Sequence, residues 1–95
     1  MPSALRPFLI RNRVTDMPNR DTYRAAVAGE VRAAIARAGM RPADVAAATG
    51  ISRTALSQKL RGRAPIHAEE IFEIADVLGI SAGALVEAAA VERVA

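Results

Sequence analysis

Between residues 42 and 63 the chain reads PADVAAATGISRTALSQKLRGR, and its polar side chains recur at a spacing that can do recognition chemistry. A helix opened by Ser52 carries Arg53, Thr54, Ser57 and Gln58 outward while Leu56 and Leu60 turn inward. Hydrogen-bonding groups on one side of a short helix, with its other side buried, suit the edges of bases in the DNA major groove. Ahead of this helix, Val45 and Ala46 form a first apolar pair, and Gly50-Ile51 breaks the chain. The segment therefore predicts two short helices hinged by a tight turn. The competing reading for Arg53 and Gln58 is an ordinary solvated helix face.

Other reactive residues do not assemble into a site. His67 has Glu69 and Glu70 close by, but no residues at metal-ligand spacing, so it reads as a surface residue with no metal site. Ser52, Ser57 and Ser81 have no His–Asp constellation around them. Glu69, Glu70 and Glu73 read as a solvated face rather than paired catalytic acids. The glycines are single helix stops, not a phosphate cradle. No enzyme and no cofactor is expected. The absence of cysteine excludes disulfides and thiolate metal sites. No apolar run approaches the roughly 18 residues that span a bilayer, and the N-terminal residues do not read as a secretion signal. A cytoplasmic location, in a bacterium or a phage-infected cell, is expected.

Charge is segregated along the chain. Residues 1–20 carry a net +3, residues 21–63 a net +5 and residues 64–95 a net −5. A polyanion would attract the first two segments and repel the third. An incidental asymmetry of a solvated surface is the plain alternative.

The elements that must hold these residues are helical. Hydrophobic residues make up 52% of the chain and aromatic ones only 3%, so the core must be built from Ala, Val, Ile and Leu. At 95 residues there is room for one small domain, a size that often gains stability by association. A first helix over 21–38 is capped by Asp21 or Thr22, with Tyr23, Val27, Val31, Ile35 and Ala38 along one stripe. Pro42 and Asp44 start a second helix that runs to about 49. The third covers 52–61 with Ser52 as N-cap. A fourth spans 67–78 on Ile71, Ile74, Ala75 and Leu78, and Ser81 caps a fifth from about 82. Period-two alternation is absent, so no strand is expected.

Residues 1–20 hold three prolines and no sustained periodicity, which predicts an irregular or flexible basic arm before a domain over 21–95. Met17 leaves open that this arm is an upstream extension. Arg11 and Arg13 can enter a minor groove, or they are incidental cations on a tail.

Residues 24–88 resemble the phage-repressor-type helix-turn-helix family, the Cro-like or xenobiotic-response-element group. The likeness rests on Val45-Ala46, Gly50-Ile51, Leu56, Leu60-Arg61-Gly62 and the trailing IADVLGIS from Ile74 to Ser81. It implies an all-α, compact five-helix domain of the lambda-repressor type. It also implies that Arg53, Thr54, Ser57 and Gln58 meet base edges, where Arg can fork onto guanine and Gln onto adenine. Ser52, Arg61 and Arg63 would then meet phosphates. Two positions depart from the family pattern. Pro42 stands where many members place a phosphate-gripping glutamine, leaving Arg41 and the backbone to substitute. Lys59 stands at a commonly apolar position, which predicts either a slightly rotated recognition helix or a stem over the core edge with its ammonium near phosphate.

One short helix reads too little DNA for good specificity, so a homodimer is expected, paired through the fifth helix at Leu85, Val86, Ala89 and Val91. Two functions follow. One is a transcriptional regulator, a repressor, that binds double-stranded operator DNA. The other is a protein-interaction or antitoxin-like module on the same fold, whose residues 1–20 bind a partner protein.

Overall fold

The computed structural model describes residues 19–94; residues 1–18 and Ala95 lie outside the described residues. Five helices follow in order: α1 (Arg20–Arg37), α2 (Pro42–Thr49), α3 (Arg53–Leu60), α4 (Ala68–Leu78) and α5 (Ala82–Val94). There is no strand among the described residues, and the all-α expectation holds. The arm expected over 1–20, with Arg11 and Arg13, lies outside the described residues except for Asn19 and Arg20.

Each helix start has a local cause. The side chain of Asn19, not of Asp21 or Thr22, caps α1, its Oδ1 accepting from the Thr22 N–H at 2.9 Å. Asp21 instead falls in the first turn, where its charge suits the helix dipole. At α2 the missing N–H of Pro42 costs nothing, and the Arg41 N–H donates to Asp44 Oδ2 at 3.0 Å. Ser52 accepts from the Ala55 N–H at 3.1 Å and starts α3 as expected. His67 is the cap residue of α4 rather than its first residue, and its N–H donates to Glu70 Oε1 at 2.9 Å.

The core draws on every helix. Val31, Val45, Leu56 and Ile74, one from each of α1 to α4, are fully enclosed, and Leu85 of α5 closes the cluster. α5 packs chiefly along α1, while α2 bridges α3 and α4. Small residues make this possible: Ala28, Ala34, Ala46, Ala75 and Ala89 are all buried, so helix backbones approach closely. The expected stripe of α1 is enclosed only in its middle. Tyr23 is half exposed, and Ala38 lies exposed at the C-cap.

The turn between α2 and α3 needs a backbone conformation that side chains resist. Gly50 sits at φ 81°, and its N–H closes the end of α2 on the Ala46 carbonyl at 3.0 Å. A Cβ here would meet no atom within 4 Å, so only the left-handed backbone opposes a substitution. Gly50→Ala should therefore lower stability by about 1–2 kcal/mol. In urea unfolding the midpoint should fall while the slope is unchanged.

Candidate nucleic-acid interface

Helix α3 presents what its sequence promised on its free side and something else on its buried side. Arg53 and Thr54 are exposed, and Ser57 and Gln58 are half-buried one turn later. Among the described residues, no hydrogen bond or ion pair engages these four side chains, so no described residue satisfies their donors and acceptors. Arg53, Ser57 and Arg61 step along α3 at intervals of four and line a groove of about 490 Å³. Its opposite wall is Pro42 and Ala43 at the start of α2, with Arg32 of α1. Thr54 and Gln58 do not line this groove and form a neighbouring stripe.

Arg32 was not foreseen as part of the site. Its guanidinium donates to the Leu60 carbonyl, one of the orphaned acceptors at the end of α3, and places a cation at the negative end of that helix. The only sequence signal was a cation one residue off the α1 stripe, which any solvated arginine would give.

The end of α3 is tied in a Schellman motif. The Arg63 N–H bonds to the Gln58 carbonyl at 3.0 Å and the Gly62 N–H to that of Lys59 at 3.1 Å, with Gly62 at φ 75°. This reversal leaves Arg61 and Arg63 exposed on either side of the glycine, neither guanidinium engaged among the described residues. Ser52 is exposed too, its Oγ already serving as the cap acceptor. Arg41 is exposed but paired: its guanidinium meets Asp44 at 3.2 Å. That hydrogen-bonded guanidinium, aided by the Arg41 N–H, holds the Asp44 carboxyl below the usual aspartate range.

Lys59 requires a correction. Only its stem follows expectation, since the residue is 9% exposed and lies against the core beside Leu56 and Leu60. The ammonium does not face outward to phosphate. It donates to the Pro65 carbonyl at 3.1 Å and meets Glu70 Oε1 at 3.1 Å. Glu70 is accordingly no part of a solvated acidic face; it accepts from both Lys59 and the His67 N–H. A cation under the helix ties α3 to the loop that follows and to the start of α4.

The expected dimer residues also divide. Leu85 is 4% exposed and Ala89 5%, both turned into the protomer's own core, so Leu85 is closed to a second copy and Ala89 shows only at the floor of a groove between α1 and α5. Val86 and Val91 are exposed. α5 packs along α1 of the same chain, and this packing takes the side of α5 that carries Leu85 and Ala89.

A family model described as a helix-turn-helix domain matches residues 26–89, roughly two-thirds of the chain. The chain belongs to that family. It is one common among Cro-like and xenobiotic-response-element regulators, as the resemblance implied. No curated protein and no solved structure matches the chain. The helix-turn-helix assignment makes this a DNA-binding type of domain, and the matched residues include α2, the Gly50 turn and α3. No single helix among the described residues is long and apolar enough to cross a membrane.

The clasp beneath α3 can be tested by stability. Glu70→Ala strands a nearly buried ammonium and should cost about 3 kcal/mol, most of it recovered on adding Lys59→Met. Burial pushes the Glu70 carboxyl up, but the His67 N–H and the Lys59 ammonium outweigh burial and hold it below the usual glutamate range. With the lower value in the folded state, the stabilisation is complete above the ordinary glutamate pKa and is lost as pH falls through the folded one. Below about pH 4.3 the parent should lose stability more steeply than Glu70→Gln in denaturant titrations.

Proposed function

We propose that this protein is a sequence-specific transcriptional regulator of the repressor type, which reads operator DNA with α3. The observation that carries this reading is the unengaged outer face of α3. Arg53, Thr54, Ser57 and Gln58 offer side-chain donors and acceptors that no other described residue uses. Arg53 and Gln58 are the base readers best matched to guanine and adenine. Ser52, Arg61 and Arg63 surround them at both helix ends as phosphate ligands, which add affinity without choosing sequence. Arg41 is a weaker phosphate ligand, because Asp44 already neutralises it. Lys59 is no longer a phosphate ligand in this reading.

The protein works as a homodimer, with two α3 helices in half-sites about one helical turn apart. With Leu85 and Ala89 enclosed, the surface left for a second copy is the α1–α5 groove of about 230 Å³. Tyr23, Val27, Val86 and Ala90 line it, and it carries apolar side chains without like charges. Val86→Glu, on the exposed rim, should convert the dimer to a folded monomer in sedimentation. A dimer that survives this substitution removes the groove from the interface.

DNA reading is tested by selection from a random duplex library at near-physiological salt, with Arg53→Ala/Gln58→Ala beside the parent. The parent should enrich a palindromic motif that the double variant loses. Its affinity should fall steeply and linearly in log–log form as salt rises. No enriched sequence, with both proteins binding equally, would favour the interaction-module reading, in which residues 1–20 bind a partner protein.

A further inference from the structure

Helix α4 leaves one face uncovered. Glu69, Phe72, Glu73 and Asp76 are all exposed and recur at helical spacing, on the side away from Ile74 and Ala75 in the core. Phe72 is 64% exposed, although only three residues of the whole chain are aromatic. The described ion pairs take Asp21, Asp44 and Glu70, and among the described residues no hydrogen bond or ion pair engages the side chains of Glu69, Glu73 or Asp76. A phenyl ring thus stands in water among three uncompensated carboxylates, which repel one another at spacings of three and four. A segment with cations on both sides of an apolar centre would relieve both strains. A second copy would not: a two-fold contact sets identical surfaces together, carboxylate against carboxylate.

The chain itself carries a segment of the inverse composition. Arg6 precedes Phe8-Leu9-Ile10, and Arg11 and Arg13 follow. It joins the fold at the right place. Arg20, Tyr23 and Arg24 at the start of α1 border one depression with Pro65 and Ile66, which lead directly into the cap of α4 at His67. Phe72 lies only about 6 Å along the α4 axis from Ala68. From Ile10 to Asn19 the chain can span up to about 30 Å.

From these observations we infer that residues 6–13 dock in cis on the outer face of α4. Phe8-Leu9-Ile10 cover Phe72, and Arg6, Arg11 and Arg13 meet Glu69, Glu73 and Asp76. The contact is short, and its ion pairs are exposed, so it is weak and salt-sensitive. While docked, the arm's guanidinium groups face carboxylates and are withheld from any polyanion. That this polyanion is DNA rests on the function proposed above; the docking itself does not.

Because the chain has no cysteine, Asn12→Cys gives the 95-residue chain a single site for a nitroxide label. At about 0.05 M salt the label should broaden the amide signals of Glu69 to Asp76 more than any others. The effect should fade near about 1 M, where the screening length falls to about 3 Å. It should also disappear in Glu73→Lys/Asp76→Lys, whose exposed substitutions leave the remaining spectrum folded, and weaken in Phe72→Ala. Broadening centred elsewhere, or unchanged by the charge reversal, would overturn the docking. So would broadening of α4 in isotope-labelled chains mixed with separately spin-labelled ones, which would mean that the arm reaches another copy. None of these readings requires DNA, so failure here and failure of the DNA selection are separate results.

Discussion

Helix α3 is eight residues long, too short to keep its shape in water alone. What it presents depends on how its inner edge is anchored. Leu56 and Leu60 are buried in the core, and between them Lys59 runs under the helix to Pro65 and Glu70. A leucine at this position would fill similar space but could bind neither the loop carbonyl nor the α4 carboxylate. The lysine adds direction to burial: two partners on separate segments, the Pro65 carbonyl and the Glu70 carboxylate, must agree before its charge is satisfied. The Ser52 cap and the Schellman reversal fix the two ends, and Arg32 holds the last carbonyl. The outward angle of Arg53 and Ser57 follows from that anchoring.

A core without aromatic rings sets the rest of the geometry. Each buried alanine removes little surface from water, so stability must come from close backbone approach and many small contacts. α1 and α5 meet this way through Ala28, Ala34 and Ala89 around Val31 and Leu85. A large side chain would force such helices apart, and the described aromatic residues are accordingly excluded: Tyr23 and Phe72 lie at the surface. Their exposure reflects both the tightness of the interior and the chemistry that the outside makes available.

The helix order, and the approximate bounds of α2, were legible in the sequence because proline, glycine and serine mark ends through strictly local chemistry. Cap choice was less so. Asn19, Asp21 and Thr22 are all competent caps, and only the path of the chain into α1 selects the first. Periodicity showed that Leu85 and Ala89 are buried, but it carries no information about what buries them. α1 and a second copy leave the same trace in the sequence. Lys59 and Glu70 were misplaced for a related reason. Charged residues are taken to face water, and a buried pair is invisible until distant segments are brought together. The face of α3 was the easiest part of the site to read, because Leu56 and Leu60 leave only one direction for Arg53, Ser57 and Gln58.

Charge then distinguishes the surfaces that packing leaves free. The cations around α3 at Arg53, Arg61 and Arg63 have no partner among the described residues, and neither have the carboxylates of α4 at Glu69, Glu73 and Asp76. Unpaired charges of opposite sign on different helices give the domain an electrical direction. A polyanion approaching within a screening length, about 10 Å at 0.1 M salt, attracts one surface and turns the other away. The same carboxylates limit how two copies can meet, since a symmetric contact through α4 would oppose them to themselves. The α1–α5 groove carries no such penalty, with Val86 and Ala90 at its rim. In the proposed dimeric DNA reader, orientation toward DNA and the choice of a pairing surface would thus share one electrostatic origin, the concentration of acidic residues after the motif and of basic residues within it.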